Sequence, residues 1–162
     1  MKGLHEFLVP YTISQIVAIA ILIIAFKSTK WARIIFAAVF FLAFCMNMYL
    51  GIFAPDTYLD YAKFAIPFYR DFINGWFSRY NHIIVPAIAC GQLLIAIGML
   101  LKDWWVKWAC IGSVIFLISI SPLMVASAFP FSIIVSAAAM VILKNDNRNF
   151  GWLKKNIQPQ PS

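Results

Sequence analysis

Few side chains inside the apolar stretches of this chain could do chemistry, and most of those are uncharged. Asn47 and Gln92 stand out. Each carries an amide that must find hydrogen-bond partners in a dry environment. Such amides can bridge helices, typically for about 0.6 kcal/mol, or they can line a site for a headgroup or a ring with polar edges. Ser14, Gln15, Ser113, Ser119, Ser132 and Ser136 are the other polar side chains set in apolar runs. No run carries an acid or a base at its middle. Proton pumps and ion-coupled transporters keep such a charge because it has a task. Its absence speaks against proton-driven transport and leaves a carrier of neutral molecules in play.

At the edges of the runs, His82 stands beside Arg79, Tyr80 and Asn81, as an interfacial side chain or as a ligand. His5 is the other histidine, so no haem or metal site is expected. Asp60, Lys63, Arg70, Asp71 and Arg79 are either a headgroup-binding cluster or the solvated face of an amphipathic helix. The candidate binding residues are therefore Asn47, Gln92, Arg70 and His82, with no catalytic set and no metal ligands. Cys45, Cys90 and Cys110 lie one to a run without a C-x-x-C pair, which argues against dithiol redox or zinc chemistry. They read as small core residues facing other helices.

The elements that position these residues are membrane spans. Of the 162 residues, 63% are hydrophobic and 12% charged, against about 45–50% and about 25% in soluble domains. The net charge of +7 lies in short basic clusters between apolar runs, which marks topology rather than nucleic-acid binding. A span needs about 20 mostly apolar residues. Residues 8–26, 34–53 and 83–101 meet that requirement, and the first reads as a retained helix rather than a signal peptide. From Trp108 to Leu143 there is no charge. A straight helix of that length would reach about 54 Å, too long for a bilayer. Pro122 divides it into spans 104–123 and 125–143, with a bent or re-entrant pair as the alternative. Five spans then place nine Lys/Arg (Lys27, Lys30, Arg33, Lys102, Lys107, Lys144, Arg148, Lys154, Lys155) on one side. Lys2, Lys63, Arg70 and Arg79 fall on the other. The bias predicts N-terminus out and C-terminus in.

The connection 56–81 reads as an amphipathic outer helix broken near Pro67. Its nine aromatics exceed what interfacial anchoring needs. They predict a lid over the outer mouth of the bundle, with Phe64, Phe68 and Phe72 inward and Lys63, Arg70 and Asp71 at the aqueous rim, the alternative being a helix flat on the bilayer with its aromatics in lipid. Pro67 and Gly75 supply its bends. Residues 1–155 form one transmembrane helical domain, and the polar tail 156–162 is expected to be disordered.

From Ala32-Arg33-Ile34-Ile35 onward, with a long outer segment and then Pro86-Ala87-Ile88-Ala89-Cys90-Gly91-Gln92 leading through a Leu/Ile run to Gly98, the chain resembles the DoxX-like membrane proteins. The likeness covers about 110 residues. It implies an all-α, polytopic bundle: a four-span DoxX-like unit, with the first span added before it. Gln92 stands where that family often has Glu. The resemblance implies a bacterial inner-membrane protein, an accessory or quinone-proximal component of a membrane redox complex without self-sufficient catalysis. Quinone is the one cofactor it suggests. Two alternatives stand beside it: a carrier of a small neutral or lipid-like molecule, and a non-catalytic scaffold. Membrane lipids and a partner membrane protein are the expected partners, and nucleic acid is not.

Overall fold

The computed structural model describes residues 2–123 and 129–146, with side chains from residue 12 onward. The tail 156–162 and the expected start of the last span at 125–128 lie outside the described residues. Among the described residues every regular element is helical. Helix α1 (Lys2–Lys27) ends at Ser28, whose extended backbone separates it from α2 (Thr29–Phe53). A 3-10 segment, Pro55–Lys63, leads to α3 (Pro67–Phe72). That helix runs through a π-turn at Ile73–Phe77 into α4 (Ser78–Leu100). Helix α5 (Trp104–Ile120) closes with a 3-10 turn at Ser121–Leu123, and α6 (Phe131–Asn145) follows.

Three of these stretches are long and apolar enough to cross a membrane: Thr29–Phe53, Pro67–Leu100 and Trp104–Leu123. Thr12–Lys27 and Phe131–Asn145 are apolar but shorter. The second stretch differs from the expected 83–101. Its helix begins at Pro67, so half of the supposed outer segment continues straight into the span. At 1.5 Å per residue its 34 residues reach about 51 Å, well beyond a hydrocarbon core of roughly 30 Å.

Helices α2 and α4 form the central pair. Helix α1 packs on α2 and α6, and α5 packs on α4 and α6. Close approach is set by small residues. A Cβ on Gly51 would sit 2.7 Å from Pro86 Cδ, and one on Gly98 would sit 2.8 Å from Ala109 Cβ. The core between the helices holds Phe36, Phe40, Met99, Val106, Val135 and Ile142. The outer surface is also apolar, with Ile16, Phe41, Leu42, Leu94 and Ile115 exposed. Soluble monomers rarely leave such large continuous apolar areas uncovered; lipid makes them stable. Cys110 is buried as expected, but Cys45 and Cys90 are exposed on this surface rather than turned toward other helices.

Arg33, grouped by the sequence with the loop charges, lies inside α2 and is 1% exposed. Nε donates to Met99 O at 2.9 Å, one terminal nitrogen donates to Leu101 O, and the other pairs with Asp146 Oδ2 at 3.0 Å. The guanidinium thus caps the free carbonyls at the end of α4 and ties them to the residue after α6. A cation at a helix C-terminus also meets the negative end of its dipole.

The segment before α4 does fold against the bundle, but not on the predicted face. A 3-10 helix repeats every three residues, so Tyr58 and Tyr61 fall in one row. Their rings meet edge to face at 5.7 Å. The neighbouring row, Leu59, Ala62 and Ala65, packs with Ile73, Tyr69, Phe77 and Leu123. Ile66 N donates to Pro122 O at 3.3 Å, and Tyr69 Oη donates to Ser119 O at 2.8 Å. These bonds dock the segment on the end of α5 and fix the rotation of α3. Tyr69 and Ile73 therefore turn inward, while Phe64 is exposed and Phe68 is 75% exposed. Of the three phenylalanines expected inside, Phe72 alone reaches the interior space, and it remains half exposed.

Candidate functional site

Beneath this docked segment lies an open cleft of about 1330 Å³. Its walls come from α2, α4 and α5, with Phe131 and Val135 of α6 at the back. Leu94, Ile97, Trp105, Trp108 and Ile115 belong both to the lining and to the exposed surface, so the cleft opens on the flank of the bundle. No lining residue carries a charge.

The cleft exists because α4 and α5 diverge. At Gly98 the two helices touch, at Ile95 and Gly112 the spacing is ordinary van der Waals contact, and at Gly91 an added Cβ would meet nothing within 4 Å. Gly91 and Gly98 lie seven residues apart, nearly on one helical face. Both line the cleft, but only Gly98 packs closely on α5.

Most of the polarity of the cleft sits at its lidded end. Asn47 Nδ2 donates to Gln92 Oε1 at 2.8 Å, joining α2 to α4. Tyr58 Oη reaches down from the 3-10 segment and donates to Asn47 Oδ1. Gln92 is 3% exposed, and its Nε2 has no hydrogen-bond partner among the described residues. The Tyr61 hydroxyl, beside Tyr58 in the lining, likewise has no partner among them. Burial, and then the neighbouring Tyr61, push the Tyr58 phenol up to about 12; burial alone raises Tyr61. Both therefore stay protonated and neutral under ordinary conditions. The network offers hydrogen bonds and no charge.

Of the four candidates read from the sequence, the structure brings Asn47 and Gln92 together and leaves the others outside. Arg70 donates to the carbonyls of Ala62 and Ala65, closing the end of the 3-10 segment, and does not line the cleft. His82 is exposed and outside it. Lys63 pairs with Asp60 at 2.6 Å on the solvated face. The amide of Asn81 binds Asp56 at 2.9 Å and anchors the start of the lid segment. Ser113 and Ser119 bond carbonyls of their own helix, as hydroxyls in apolar helices do. The sequence reading missed Tyr58 and Tyr61 as site residues. A three-residue spacing of tyrosines after Pro55 was their available signal. Among the described residues no group of His, Cys, Asp or Glu could hold a metal ion. No family model, curated protein or solved structure matches the chain.

Proposed function

We propose that this protein is a multi-span membrane protein whose cleft binds an uncharged, lipid-like molecule, holding or carrying it rather than transforming it. The observation that carries this reading is the large uncharged cleft, open on the flank of α4 and α5, with its amides and phenols gathered at one end. Ligand sites are mostly apolar with a few convergent polar groups. An amphiphile dissolved in the bilayer would enter from the side without crossing water.

The topology goes with it: five spans formed by α1, α2, α3–α4, α5 and α6, with the N-terminus out and the C-terminus in, in a bacterial inner membrane. Arg33 supports this arrangement by gathering the start of α2 and the ends of α4 and α6 at one face. The lid segment meets the end of α5 at the other face. With Arg33 counted as an internal partner, eight Lys/Arg remain on the inner side against four outside. A second reading follows from the Tyr58–Asn47–Gln92 network. It could face the polar ring of a quinone, as the DoxX-like resemblance implies for an accessory of a redox complex. Extraction in mild detergent, followed by mass spectrometry of bound lipids, quinones and proteins, tests both readings. A stoichiometric neutral lipid supports the first, and a bound quinone with a partner protein supports the second. A chain that carries no small molecule would contradict both.

A further inference from the structure

We infer that the cleft selects an uncharged lipid headed by a carbonyl oxygen, an ester or a ketone, and that Gln92 Nε2 is the group that recognises it. This rests on the reading of the cleft as an amphiphile site and specifies what the site takes. The hydrogen bonds run in one direction: Tyr58 Oη donates to Asn47, Asn47 donates to Gln92, and the Gln92 Nε2 donors have no acceptor among the described residues. The Gln92 side chain is almost fully buried in the cleft lining, and an acceptor brought to Nε2 there gains a hydrogen bond. Gln92 is held still for that role, since its Oε1 is fixed by Asn47 and its side chain is enclosed. The Tyr61 hydroxyl stands in the same lining as a second group able to donate.

Depth and polarity exclude charged heads. Asn47 lies six residues before the end of α2 at Phe53, about 9 Å along the helix axis. A phosphate or ammonium group brought there would lose its water without meeting an opposite charge, which excludes it. A carbonyl oxygen asks only for a donor. The tail has room as well. Past Gln92 the lining on α4 and its end runs nine residues further, to Leu101, about 14 Å at 1.5 Å per residue. That is close to one leaflet of a hydrocarbon core roughly 30 Å thick.

The experiment compares three probes on the purified full chain in detergent, with retention read by native mass spectrometry. Methyl oleate carries the carbonyl, 1-octadecene has only the hydrocarbon, and oleoyl lysophosphatidylcholine has a charged head. The expected result is retention of the ester over the hydrocarbon by about fivefold, the ratio that one net hydrogen bond gives, with the lysophospholipid not retained. In Gln92→Leu the ratio of ester to octadecene retained should fall to about one. Gln92→Met serves in its place if the leucine variant does not fold. Equal retention of ester and hydrocarbon by the wild type would overturn the carbonyl assignment and leave the amphiphile site standing. A preference that persists in the Gln92 variants would overturn the role of Gln92. If neither uncharged probe is retained, the amphiphile reading itself falls.

Discussion

The two ends of the α2–α4 pair solve the same problem in opposite ways. At one end all three guanidinium nitrogens of Arg33 donate, to two carbonyls and a carboxylate. At the other end the buried Gln92 uses its oxygen, and its nitrogen has no partner among the described residues. The charged end is saturated and the uncharged end has bonding capacity to spare. A buried charge that fills its own shell holds structure together. A neutral donor left open beside a cleft is available to something else.

The saturated end should be the fragile one. Removing one partner of a buried ion pair costs about 3–5 kcal/mol, because the other is left uncompensated. Arg33→Met should therefore lose stability on that scale, as read by denaturant unfolding in detergent micelles. Arg33→Met combined with Asp146→Leu should recover part of the loss. An Arg33 variant as stable as the wild type would erase the contrast between the two ends.

The next effect concerns packing between α4 and α5. Gly98→Leu forces a side chain against Ala109 and the Trp105 carbonyl, and overpacking of this kind costs about 1–3 kcal/mol. Thermal melting of the solubilised protein checks it. A Gly98→Leu variant that melts with the wild type would mean the helices do not touch there.

The smallest effect is on pH. The Tyr58 phenol titrates at about 12 in the fold and near 10 when unfolded. Over that interval the unfolded chain has lost the proton that the folded chain keeps. Stability is thus unaffected below about pH 10 and falls as pH rises toward 12. Ultraviolet titration of tyrosinate should show late-ionising phenols, and Tyr58→Phe should remove the one near pH 12. A titration unchanged by that substitution would detach Tyr58 from the network.

These cases also mark what the sequence could convey. Asn47 and Gln92 were legible because an amide in a dry span needs a partner, and each proved to be the other's. Arg33 was not legible. Its proximity to Lys27 and Lys30 looks like loop charge, and its ionic partner lies 113 residues away. Tyr58 and Tyr61 were hidden by the choice of period. A spacing of 3.6 puts the phenylalanines inward, whereas the 3-10 segment after Pro55 repeats at three and restarts at Pro67. Gly91 and Gly98 share a face and differ only in their distance from the α4–α5 turn, where the helices begin to diverge. Local pattern gives the face of a helix and says nothing about how far away its neighbour stands.

Gly91 supplies the most direct test that the cleft is a binding site. A leucine there has open space to enter, so it should fill the cleft without straining the fold. The measurement is the bound-lipid content of Gly91→Leu and wild type, extracted side by side, with a melting curve for each. Loss of the co-purifying uncharged lipid at an unchanged melting temperature is the predicted result. An identical lipid complement in a correctly folded Gly91→Leu variant would contradict the account.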